Sequence, residues 1–263
     1  MTAAHIALLL AAGLAAGTVN AIAGGGSLVT FPALLATGLP AVAANVTNSI
    51  AVFPGYVGSV VGSRHDLADL AAEDGPHGRR RLLALLPTAV AGTAAGCALL
   101  LATPASAFDL VVPFLVLGAA AVLAFQTRLR GLVGHPHDMS PRRRTLSLHG
   151  MVFLGSVYGG YFGAALGVML VAALGLVLAT NLARISALKN ALSALVGLIT
   201  LLVFAAFGPV DWADVALLAP ATVTGGYVGA RVARRLPAPV LRAVIVVFAG
   251  AVGLVLLVKA FAR

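Results

Sequence analysis

The stretch from Asn20 to Ser27, NAIAGGGS, interrupts an apolar run with an asparagine, three consecutive glycines and a hydroxyl. Glycines leave backbone N–H groups unshielded, and a helix starting after them would offer orphan donors and a partial positive charge. That combination suits an oxyanion. The same glycines also permit tight reversals and close helix packing, which by itself would account for them. A nucleotide loop is excluded, because no strand or βαβ pattern surrounds the motif. A second polar group, Lys189-Asn190 with Ser193, lies inside the apolar run of about residues 184–207. Lys189 has two readings there: a charge that attracts an anion beside polar neighbours, or a snorkelling lysine reaching the interface. The segment YFGAALGVM keeps Gly163 and Gly167 but not the triple glycine, so two half-sites would be unequal.

The acids are placed differently. All eight (Asp66, Asp69, Glu73, Asp74, Asp109, Asp138, Asp211 and Asp214) fall in loops or at segment ends. Cation pumps usually hold or relay their ion on an intramembrane carboxylate, so this placement disfavours a cation transporter. No HExxH, paired aspartates or Ser–His combination points to an enzyme, and no cofactor or metal site is expected. His65, His77, His135 and His137 are assigned to loops, and His5 and His149 to segment starts. Cys97 is the only cysteine, which excludes an internal disulfide. Asn45-Val46-Thr47 matches a glycosylation sequon, but its place at the start of an apolar segment makes it a poor acceptor.

The elements that would position these residues are membrane helices. The chain is 60% hydrophobic and 10% charged, with a mean hydropathy of +1.04. Soluble domains carry roughly a quarter charged residues. Several apolar runs approach the roughly 20 residues that cross a bilayer as a helix, and alternating ten-residue strands are absent. The expected class is therefore an all-α, polytopic integral membrane protein. Its net charge of +9 gathers in a few short loops, as the positive-inside rule requires, and not on a face built for nucleic acid. The expected partners are a lipid bilayer and a small anion.

Five apolar segments occupy about residues 4–22, 27–38, 42–63, 82–102 and 107–125. After the arginine-bearing linker QTRLRGLVGHPHDMSPRRRT, five more occupy about residues 148–164, 167–179, 184–207, 213–233 and 239–260. The domain reading is a first repeat over 1–125, a cytoplasmic linker over 126–147 and a second repeat over 148–263. An offset of 141 places Asn45 on Ser186, Ser49 on Asn190 and Ser59 on Thr200, so the third segments carry matching polar stripes. Such stripes should face the bundle interior or a wet cavity. Loop arginines then alternate between the halves. Arg64, Arg79, Arg80 and Arg81 follow the third segment of the first half, whereas Arg231, Arg234 and Arg235 follow the fourth segment of the second. Equivalent loops on opposite sides imply inverted repeats with an odd number of crossings per half, five or three, and both termini outside.

The segment GTVNAIAGGGSLVTFPALLATGLPAVAANVTNS resembles the amino-terminal signature of the sulfite exporter TauE/SafE family. GGYFGAALGVMLVAALG, ALKNALSAL, GPVDW and GGYVGARVARRLP resemble its second repeat, so the similarity covers nearly the whole chain. The resemblance implies a transporter of the bacterial inner membrane, exporting sulfite or a small organosulfonate. Family motif positions carry over to Asn20, Gly24, Gly25, Gly26, Thr47, Asn48, Lys189 and Asn190. The expected mechanism is alternating access around a midplane anion site. Asn20, Gly24, Gly25, Gly26, Ser27, Thr47 and Asn48 would contribute from one half, and Tyr161, Lys189 and Asn190 from the other. A passive channel, a carrier for another small solute and a non-transporting membrane subunit are the alternatives.

Overall fold

The computed structural model describes residues 2–22, 25–73, 76–131, 140–178, 180–232 and 238–261. All regular structure among them is helical, as the apolar periodicity and missing strand pattern predict. The first half holds α1 (Ala3–Ile22), α2 (Ser27–Ala36), α3 (Ala41–Gly62), α4 (Arg64–Glu73), α5 (Pro76–Ala102) and α6 (Ala105–Ala124). A short α7 (Gln126–Gly131) follows, and α8 (Pro141–Tyr161), α9 (Leu166–Gly175), α10 (Leu182–Phe207), α11 (Trp212–Val232) and α12 (Ala238–Phe261) complete the chain. Among the described residues, α1, α5, α6, α10 and α12 are long and apolar enough to cross a membrane on composition alone. Large apolar side chains such as Phe207, Leu146 and Val247 are more than two-thirds exposed, an arrangement that suits a lipid solvent and not water.

Two helices lie outside the ten apolar segments. The region after Ser63 is not a loop but the polar α4, which carries His65, Asp66 and Asp69 and packs Leu70 into the core formed by Leu85 and Leu148. It has the sparse apolar face of a surface helix, which a search for spanning runs passes over. His77 belongs to the first turn of α5, because that helix starts six residues before its apolar run. His135, His137, Asp74 and Asp138 lie outside the described residues. In the linker region, α7 takes its first residues, and α8 begins at Pro141 behind Ser140, which caps the Arg143 N–H at 3.4 Å.

Helix pairing exchanges the halves. α1 packs chiefly on α11 and α8 chiefly on α5, while α3 pairs with α10 and α6 with α12. The first two pairs are parallel. Gly13 meets Leu218 and Ala221, and Gly17 meets Thr222 and Gly226. In the same way, Gly92 meets Phe153 and Ser156, and Gly96 meets Val157 and Tyr161. The other two are antiparallel. Asn190 reaches Ser59 and Ser63, whereas Gly208, far along α10, meets Val46 near the start of α3. Likewise Gly253 of α12 meets Val116 and Leu117 of α6, and the later Leu256 and Lys259 line one cavity with the earlier Asp109 and Val112.

α2 and α9 each contain ten residues, about 15 Å of helix at 1.5 Å per residue. That is half of a hydrocarbon core of about 30 Å. α2 begins against Ala16 and Asn20 of α1 and ends beside the start of α3 and the second turn of α6. α9 begins beside Lys189 and ends beside the start of α8, where Arg144 Nε donates to the Val177 carbonyl at 2.8 Å. The two half-length helices therefore enter from opposite ends of the bundle, with their N-termini inward.

Candidate functional site

Both inward N-termini follow a chain break held by left-handed residues. Gly25 has φ of +90° before α2, and Gly163 and Ala165 have φ of +73° and +57° before α9. Only glycine enters that region freely, which explains Gly25 and Gly163. Ala165 takes it at a cost of about 1 kcal/mol, held there as Tyr158 Oη donates to the adjoining Ala164 carbonyl at 2.6 Å. Gly26 answers to packing instead: a Cβ there would lie 2.4 Å from the Ala16 carbonyl oxygen. Its N–H donates to Asn20 Oδ1 at 2.7 Å, so the side chain of Asn20 caps the start of α2. The packing and reversal reading of the glycine run thus has its residues, close packing at Gly26 and the positive φ of the turn at Gly25, where Leu123 and Leu28 lie against the backbone.

The two breaks border one small polar cavity of about 40 Å³. Asn20, Gly25 and Ser27 line it from the first half, and Gly167, Lys189 and Ser193 from the second. That volume holds a few water molecules. Tyr56 of α3 forms part of the wall between this cavity and a second of about 20 Å³, which Asn48, Ser49 and Thr200 also line. A third cavity of about 400 Å³ lies among α1, α3 and α11, beside Pro54, Gly55 and Gly58, and shares Asn20 and Ser59 with the polar one. It sits toward the C-terminal ends of α3 and α11. At the opposite end the helices are tied together: Thr47 Oγ1 accepts from the Asp211 N–H at 3.0 Å, Val46 packs on Gly208, and Asn45 Nδ2 donates to the Tyr161 carbonyl at 2.8 Å.

Of the residues singled out from sequence, Asn20, Gly25, Ser27 and Lys189 meet at the polar cavity, and Asn48 lines its neighbour while accepting from Thr30 Oγ1. Gly26 supports the cavity from behind, and Gly24 lies outside the described residues. Three others point elsewhere. Thr47 accepts from the Asp211 N–H, Asn190 donates to Ser63 Oγ at 3.0 Å and to the Ser59 carbonyl, and the Tyr161 ring stacks edge-on to Phe108. Tyr56, Ser193, Gly163 and Gly167 line the cavity without having been among the site residues. Asp214 departs from its loop-end assignment in one respect: it stands in the first turn of α11 but is only 5% exposed, with its N–H capped by Asp211 Oδ1 at 3.0 Å.

Two short helices aimed inward, a lysine between them and polar stripes on the crossing helices define a multi-pass helical membrane protein of the transporter kind. The family comparison agrees: residues 9–256 match the model of the Sulfite exporter TauE/SafE family, and the chain belongs to that family. It is similar to a probable membrane transporter protein of Haemophilus influenzae, 26% identical over 92% of this chain and 90% of the relative. A probable membrane transporter protein, ORF9, of Sinorhizobium is 27% identical over 96% of this chain and 92% of that protein. The probable membrane transporter protein YfcA of Escherichia coli K12 is 26% identical over 88% of this chain and 80% of its own length. No solved structure matches the chain.

Proposed function

We propose that this protein is a secondary transporter of the cytoplasmic membrane for a small oxyanion, sulfite or a short organosulfonate, and that it works by alternating access. The observation that carries the reading is the meeting of Gly25, Ser27, Gly167 and Lys189 at one cavity. Helix N-termini and an ammonium group all favour negative charge, and inward half-helices are the recurrent substrate site of inverted-repeat carriers. The antiparallel α3–α10 and α6–α12 pairs support an inverted relation between the halves, with the arginine-bearing ends of α3 and α11 in the cytoplasm. In that orientation the 400 Å³ cavity is the cytoplasmic approach, and the Thr47–Asp211 contact closes the outer end. An exporter loads its substrate in such a state.

Initial rates of uptake into proteoliposomes of labelled sulfite, methanesulfonate, sulfate, nitrate and glycerol test the substrate class. Sulfite or methanesulfonate is expected to enter at least about tenfold faster than glycerol. Equal rates for the anions and glycerol would remove the oxyanion reading and leave a channel or a carrier of neutral solutes.

A further inference from the structure

Ser193 is 1% exposed, and its Oγ has no hydrogen-bond partner. A buried hydroxyl without a partner carries a desolvation penalty, so its persistence needs a reason. Its neighbours supply one, since it lines the polar cavity together with Lys189 and the N-terminal turns of α2 and α9. In that turn of α9, Leu166 N bonds Gly163 O and Val168 N bonds Ala165 O, which leaves the Gly167 N–H outside the turn's own hydrogen bonds. The ammonium of Lys189 lies over the same turn, 3.7 Å from where a Cβ on Gly167 would stand.

We infer that Ser193 is a substrate ligand: its hydroxyl donates to an oxyanion held in a two-sided cradle between the N-termini of α2 and α9. The cradle draws one helix start from each half. The hydroxyl has no counterpart in the first half, where the 141-residue offset places Val52. The cradle is therefore asymmetric, with Lys189 and Ser193 both on α10 one turn apart, while Asn20 and Ser27 line it from the first half. A sulfonate or sulfite group satisfies it with oxygens that accept from the hydroxyl, the ammonium and the Gly167 N–H, while the α2 terminus adds the positive end of its dipole. Its negative charge also offsets the lysine. This inference rests on the oxyanion reading above and adds the residue that binds.

The test is thermal stabilisation of the purified protein by sulfite, methanesulfonate and neutral dimethyl sulfone, compared between the parent and Ser193→Ala. Without ligand, Ser193→Ala is expected to melt no lower than the parent, because no hydrogen bond is lost. The apparent Kd of the stabilising anion is expected to rise about tenfold, as removal of one hydrogen bond to a charged group would cause. Gly167→Val, whose side chain would press on Lys189, should weaken the same anion while Ser193→Ala stays folded. Equal anion affinity in parent and Ser193→Ala overturns the cradle and leaves the oxyanion reading standing. A parent stabilised by dimethyl sulfone as strongly as by either anion removes both.

Discussion

Replacing Lys189 by glutamine is expected to lower the initial rate of sulfite uptake about a hundredfold at subsaturating concentration. Glutamine keeps most of the stem that packs against Gly167 and removes the charge, so the loss reports electrostatics and not packing. Truncating one partner of a desolvated charge pair costs about 2–5 kcal/mol, and a hundredfold effect corresponds to about 2.7 kcal/mol. Lys189→Arg should fall between the two, because the charge survives but a planar fork must fit a cavity of about 40 Å³. The competing interpretation is a lysine that snorkels to the interface, and it predicts parental uptake for Lys189→Gln. The position of the ammonium beside the first turn of α9, two turns into α10, is what favours the transport role. Measurement needs only proteoliposomes matched for protein content.

The largest structural effect is expected at the two close helix pairs. A Cβ on Gly17 would stand 2.1 Å from the Thr222 carbonyl oxygen, and one on Gly96 would stand 2.1 Å from that of Val157. Both obstructions are backbone atoms, which cannot rotate away. Gly17→Leu and Gly96→Leu therefore have to force α1 from α11 or α5 from α8, at about 3 kcal/mol or more. In a membrane such pairs are held by close van der Waals packing in place of hydrophobic exclusion, so little remains to offset the separation. Fluorescence-detected gel filtration should show loss of the monodisperse peak for both variants. Gly118→Leu is the control, since nothing lies within 4 Å of a Cβ there, and it should elute and melt as the parent does. A parental profile for Gly17→Leu or Gly96→Leu would contradict the packing described.

The ten principal helices were legible because a helix buried in lipid or in the bundle must be an apolar run, and each of the ten overlays one such run, the half-length α2 and α9 included. α4 and α7 were not, because RHDLADLAAE and QTRLRG pack only single leucines, Leu70 and Leu129, against the core and so need no apolar run. The polar cavity was partly legible for a related reason. Three glycines and a lysine are costly inside an apolar segment, so Gly25 and Lys189 signal themselves. Depth and partner are different matters. Asn190 and Ser193 share one stripe on α10, yet Asn190 is spent on Ser59 and Ser63 of α3 while Ser193 faces the cavity. A stripe specifies a face, and only the neighbouring helix decides which of its residues are already bonded. Tyr161 shows the same limit: it was expected to contribute from the second half, and its ring packs edge-on to Phe108 of α6.

The direct test of a carrier with one central anion site is counterflow. Proteoliposomes loaded with excess unlabelled sulfite are diluted into a trace of labelled sulfite, and internal label is followed with time. A site exposed alternately to the two sides should exchange label inward faster than the internal pool drains. The label should then rise transiently above its final level before falling back. A monotonic approach to that level, with no overshoot at any internal concentration, would contradict alternating access and make the protein a channel.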